Sequence, residues 1–194
     1  MGEKIDELTG RIRALELELE AEIARQGAAL RFGLEHGRAV FEEEVLRRHR
    51  ELRTRLLRYI LNAKPLTVLT APVIYSLIVP LVLLDICVSI YHAVCFPAYG
   101  IEKVKRSDYL VFDRGHLAYL NALEKLNCAY CSYANGLIAY VREIAGRTEA
   151  YWCPIKHAKK AAGAHEKYLG FVAYGDAEAY RKRIEELDNA IKKK

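Results

Sequence analysis

The sequence predicts an all-α protein in three parts. These are a long amphipathic helix in residues 1–63, a proline-broken hydrophobic membrane insert in 64–106, and a small helical domain with a Cys/His metal site in 107–194. Three observations predict it. Residues 5–62 contain no proline and carry apolar side chains every eleven positions. The stretch Leu66–Ile101 holds a single formally charged residue, Asp85. Beyond it stand two paired motifs, Cys128-x-x-Cys131 and Cys153-Pro-x-x-His157.

The N-terminal part is rich in Glu, Arg, Leu and Ala, which favour helix. One apolar row is Leu8, Leu19, Leu30, Phe41 and Leu52; a second is Ile12, Ile23, Leu34, Val45 and Leu56. The rows lie four positions apart and so share one face of a single helix roughly 85 Å long. An eleven-residue period, about 3.67 residues per turn, predicts a straight or slightly right-handed coil. Ile5, Leu8, Ile12, Leu15 and Leu19 also fit a heptad. A stripe this long must be covered, either by the rest of the chain or by self-association into a homo-oligomer, and the sequence favours the second. Gly27, Gly33 and Gly37 mark a close helix contact or a hinge that divides the segment.

The apolar stretch is too long for one straight crossing and too short for two. As a helix it would be roughly 50 Å long, against a hydrocarbon core of about 30 Å and about 40 residues for two spans. It therefore predicts either a re-entrant hairpin or one tilted, kinked span, with Pro80 near the middle. Basic residues flank both ends, from Arg47 to Lys64 before it and Lys103, Lys105 and Arg106 after it. That symmetry suits two ends at one anionic bilayer surface, with both flanking parts cytoplasmic. A soluble core hairpin is the plainer alternative. Asp85, Ser89 and His92 fall on one helix face. They read as a membrane-buried proton or ligand site. The more economical reading makes Asp85 a helix cap or the partner of an arginine on a neighbouring subunit.

The chain has five cysteines. The first twenty residues are acidic and periodic with no export-type apolar core, so the three outside the apolar stretch are expected to be reduced. Cys128, Cys131, Cys153 and His157 form a Cys3His set, a common closed tetrahedral zinc site, with iron as the alternative ion. The intervening residues allow a helix and its return, and Cys153 to His157 would sit one turn apart at a helix start. His116, His165 or a carboxylate could replace His157. Alternatively, Cys128 and Cys131 form a redox pair at a helix N-terminus, or all three cysteines are ordinary buried side chains. Asn127 is expected to open a helix, and Asp176 to cap the last one, which runs through Tyr180, Ile184, Leu187 and Ile191. The many tyrosines suit core packing or an aromatic belt at headgroup level.

The net charge of +5 is modest and the basic residues crowd beside the apolar stretch, which disfavours nucleic acid as a partner. No phosphate loop, nucleophile elbow, H-E-x-x-H or dinucleotide fingerprint is present. Glutamates such as Glu124, Glu143 and Glu149 lack the E-x-x-H pairs of a di-iron bundle. The expected function is a membrane-associated assembly or scaffold protein that binds the lipid bilayer, forms homo-oligomers within a larger complex and carries structural zinc. The alternative is a membrane-bound, quinone-linked thiol oxidoreductase using Cys128 and Cys131.

Overall fold

The structure, a computed structural model, describes residues 2–29, 32–35, 38–159 and 162–192. Among these residues the regular elements are helices apart from one short hairpin and an isolated bridge. It divides into two compact units, Met1–Asn62 with Asp113–Lys125, and Ala63–Phe112 with Leu126–Lys194.

In the first unit, helix α1 covers Gly2–Ala29. Strands β1 (Phe32–Glu35) and β2 (Arg38–Phe41) then pair antiparallel, with Phe32 opposite Phe41 and Glu35 opposite Arg38. Helices α2 (Glu43–Glu51) and α3 (Leu56–Leu61) follow. The expected unbroken helix over 5–62 is therefore not formed. Gly33 has the poorest helix propensity short of proline, while Phe32, Val40 and Phe41 are strand formers, so local preference here runs against helix. The eleven-residue rows do not share one helix: Leu19 is in α1, Leu34 in β1, Phe41 in β2 and Val45 in α2. Leu30 and Gly37 lie outside the described residues. Helix α2 has Glu43 and Glu44 in its first turn and Arg48, His49 and Arg50 in its last, which complements its dipole. His49 stands edge-on between Phe41 and Tyr119, with ring centroids 5.1 and 5.0 Å away.

In the second unit, α4 (Pro65–Ser76) and α5 (Ile78–Tyr99) form a nearly continuous apolar helix, interrupted only at Leu77. Its 35 residues are long and apolar enough to cross a membrane. No re-entrant turn occurs in it. Pro80 lies in the first turn of α5, where its ring crowds the carbonyl of Ser76 and its missing N–H removes one ladder bond. The ladder tightens at Leu77, whose N–H bonds Ile74 O at 3.3 Å, and resumes with Leu81 N–H to Leu77 O at 3.2 Å. Gly100, at φ 65°, ends α5. Its N–H reaches Pro97 O and that of Ile101 reaches Phe96 O, the paired bonds of a Schellman stop.

Helix α6 spans Ala122–Trp152. It opens at Asn121 rather than Asn127. Asn121 Oδ1 accepts the N–H groups of Leu123 and Glu124, and Glu124 Oε2 accepts that of Asn121 at 2.8 Å, a reciprocal capping box. Asn127 lies within the helix and its side-chain oxygen accepts the hydroxyl of Tyr75. Partners on α4–α5 and α6 advance together along both helices: Ile74 with Tyr130, Tyr75 with Asn127, Asp85 with Tyr133, His92 with Tyr140 and Tyr91 with Thr148, at separations from 48 to 57. Partners that rise together in both helices mean that the helices run parallel, so the chain must return between them. Ile101–Phe112 begins that return. The core of the unit is Phe96, Val104, Leu137, Tyr140 and Ile144, one cluster drawn from α5, the return segment and α6. After α6, Ile155 pairs with Val172, and Asp176 caps α7 (Ala177–Lys192) by accepting the Ala179 N–H at 3.0 Å.

Candidate functional site

Asp85, Ser89 and His92 share one stripe of the apolar helix, and each has a partner within the protein. Asp85 receives Arg106 at both carboxylate oxygens, with Arg106 Nη2 to Oδ2 at 2.7 Å. Tyr133 donates to Oδ2 at 2.9 Å and Ser89 to Oδ1 at 3.3 Å. Four donors use the acceptor positions that a carboxylate offers. Asp85 is thus a filled anchor that fastens the return segment to α5 and α6. Its arginine partner comes from the same chain. The Asp85 contact raises the Arg106 pKa, and the guanidinium lies 5.7 Å from the centre of the Tyr140 ring. Burial and then the bond to Asp85 hold the Tyr133 phenol above the ordinary tyrosine value of 10.0. Burial does the same for Tyr140.

Two turns on from Asp85, His92 is buried. Its Nε2 accepts the Val104 N–H at 2.9 Å, and its Nδ1 faces the Tyr140 hydroxyl at 3.3 Å. Since Nε2 is an acceptor, the ring is neutral and carries its proton on Nδ1. Val104 N–H would otherwise be a buried orphan donor, so His92 completes the backbone bonding of the return segment. Two glycines on α6 admit neighbouring chain. A Cβ at Gly136 would lie 2.6 Å from Tyr109 O, and one at Gly146 would lie 2.8 Å from His165 Cγ. His165 sits in that gap, with Nε2 2.8 Å from Glu149 Oε2.

The rest of the α4–α5 surface is apolar and exposed. Leu69 is 75% exposed, Val73 68%, Leu83 61% and Val94 63%. This helix is apolar nearly all round: Phe96, Leu81 and Val88 pack into the core, and the remaining leucines, valines and isoleucines form a long exposed apolar surface. Beside Tyr133 an open cleft of about 320 Å³ is lined by Tyr75, Ile78, Leu126, Ala129, Tyr130 and Tyr133. Tyr130 spans it to bond Ile74 O at 2.7 Å.

The four expected metal ligands are not brought together. Cys128 and Cys131 lie on one face in the first half of α6, while Cys153 follows its last residue. The 22 positions from Cys131 to Cys153 correspond to roughly 33 Å along a continuous helix. The anticipated helix-and-return between them is absent, because α6 has no break at Asn127 or Gly146. Cys153 ends α6, its N–H bonding Glu149 O, and His157 follows the Ile155–Val172 bridge instead of standing at a helix start. The His157 ring stacks on Tyr168 with centroids 6.0 Å apart, and His116 is exposed in a short 3-10 turn. Among the described residues no group of three or more Cys, His, Asp or Glu could hold a metal ion. The Cys128-x-x-Cys131 pair lies two turns inside α6, away from the N-terminal N–H groups that lower a thiol pKa.

Sequence reasoning missed Arg106, Tyr133 and Tyr140 as the partners of the polar stripe. The available signal was an isolated acidic residue within an apolar helix, which demands a cation nearby in space. Comparison with known proteins finds no family model, curated protein or solved structure that matches this chain.

Proposed function

We propose that the chain is a membrane-associated assembly protein, held in the bilayer by α4–α5 and carrying its N-terminal helix as a docking element. The observation that supports this reading is the long exposed apolar surface of Pro65–Tyr99, whose acidic and histidine side chains are satisfied within the chain. Asp85, Ser89 and His92 have partners within the chain, while Leu69, Val73, Leu83 and Val94 have none of the cover that water-exposed leucines and valines require in such number. Burying that face in acyl chains at about 25 cal/mol per Å² gives a strong drive to membrane association. Lys64 before the helix and Lys103 and Lys105 after it suit headgroup level at its two ends.

The filled stripe is an anchor for the fold in lipid, where an unpaired charge or backbone group is costly. The test is extraction of membranes from cells expressing the full chain. Retention in the membrane after alkaline carbonate, with release by detergent, is the expected result. Release by carbonate or salt alone overturns the reading.

A further inference from the structure

We infer that α1 pairs with the α1 of a second copy as a parallel, two-stranded coiled coil. This rests on the assembly half of the function proposed above and is independent of its membrane half. Because α1 ends at Ala29, the eleven-residue register cannot continue along one helix, and the heptad is the pattern left on it. Positions 5, 12 and 19 are then a positions with Ile, Ile and Leu, and positions 8 and 15 are d positions, both Leu. Ile at a with Leu at d favours two parallel strands.

Leu8, Ile12, Leu15, Leu19 and Ile23 are exposed in the single chain, between 46% and 63%. The next d position is Glu22, which ends the seam and pairs along its own helix with Arg25 at 2.7 Å. A parallel pair stacks like on like and has apolar layers at 5, 8, 12, 15 and 19. The antiparallel pair that uses the same seam sets position 5 against the partner's Glu22 at both ends.

The flanking charges identify the occupant as a copy of this chain. Arg11 is a g position and Glu16 is the following e position, both exposed. In a parallel pair each g residue faces the partner's e residue of the next heptad, so Arg11 meets the partner's Glu16 twice by symmetry.

The experiment is sedimentation of the full detergent-solubilised chain, with I12D, L15D, R11E, E16R and the double variant R11E/E16R. These side chains are on the outside of the single helix, so the variants leave the fold of one chain intact. The wild type is expected to be a dimer. I12D and L15D abolish it, and R11E or E16R weakens it by about three- to tenfold. The double variant recovers wild-type affinity to within about twofold. Mixing R11E with E16R gives mostly heterodimer, since both cross-pairs are then attractive. A monomeric wild type, a trimer or larger oligomer, or charge variants that dimerise as the wild type does would each overturn the inference. Equal homo- and heterodimer in the mixture would overturn the parallel arrangement. Carbonate release of a chain that still dimerises defeats the membrane reading alone; a monomer retained in the membrane defeats only this one.

Discussion

Arg106 grips both oxygens of Asp85 from a position 21 residues farther along the chain, and this two-pronged contact ties the return segment to the apolar helix. The Asp85 side chain is 15% exposed and that of Arg106 42%. Removing the arginine leaves a mostly enclosed carboxylate with only two hydroxyl donors. R106M is therefore expected to cost about 2 kcal/mol, below the value for a fully buried pair because solvent reaches the guanidinium. D85N/R106M should lie closer to wild type than R106M does, because no uncompensated charge remains. Thermal melting of the detergent-solubilised set measures both, and an additive double variant would contradict the pairing.

The two close-approach glycines differ in what opposes a methyl group. At Gly136 the obstacle is backbone, Tyr109 O and Leu110 Cα; at Gly146 it is the ring of His165. G136A should lose about 1–3 kcal/mol even after its gain in helix propensity, since backbone cannot step aside. G146A should cost less, by displacing the imidazole, and should alter the His165 NMR signals. Equal melting temperatures for wild type and G136A would show that the return segment is not seated on α6.

Three tyrosines should ionise late. Burial raises the phenols of Tyr109, Tyr133 and Tyr140 above 10.0, and the bond to Asp85 adds to this at Tyr133. A group whose pKa is raised on folding contributes stability that is whole below its unfolded value. That contribution is lost as pH rises past about 10 towards the folded pKa. Alkaline titration at 295 nm should show a delayed fraction among the 13 tyrosines, with unfolding as it appears. Y133F should shorten the delay.

The cysteines report on the apolar face. Cys87, Cys131 and Cys153 are all exposed in the single chain. Cys87 lies among the outward residues of α5, between Leu83 and Ile90. In membranes, a charged maleimide should modify Cys153, beyond the end of α6, and spare Cys87, while a lipophilic maleimide should reach Cys87. Rapid modification of Cys87 by the charged reagent would place that face in water.

Much of the helical character was legible in the sequence because it is local. The apolar run Leu66–Ile101 appears as the α4–α5 helix, and Asp176 caps α7 as its position suggested. Asp85, Ser89 and His92 were recognisable as one helix face from spacing alone. The long N-terminal helix was misread because an apolar period can persist across elements that do not share an axis. The rows pass through α1, a hairpin and two short helices.

The sequence by itself determined that the apolar run is long, uncharged but for Asp85, and interrupted by proline, and that its one acidic group needs a partner. Both follow from composition and period, which act within a few turns. Only the tertiary structure decided that α6 runs parallel to that helix, that Arg106 is the partner of Asp85, and that Cys131 and Cys153 are held far apart along one helix. Those depend on where the chain returns. The return is set by contacts among residues distant in sequence, such as Val104 with His92 and Gly136 with Tyr109, and no local pattern encodes them.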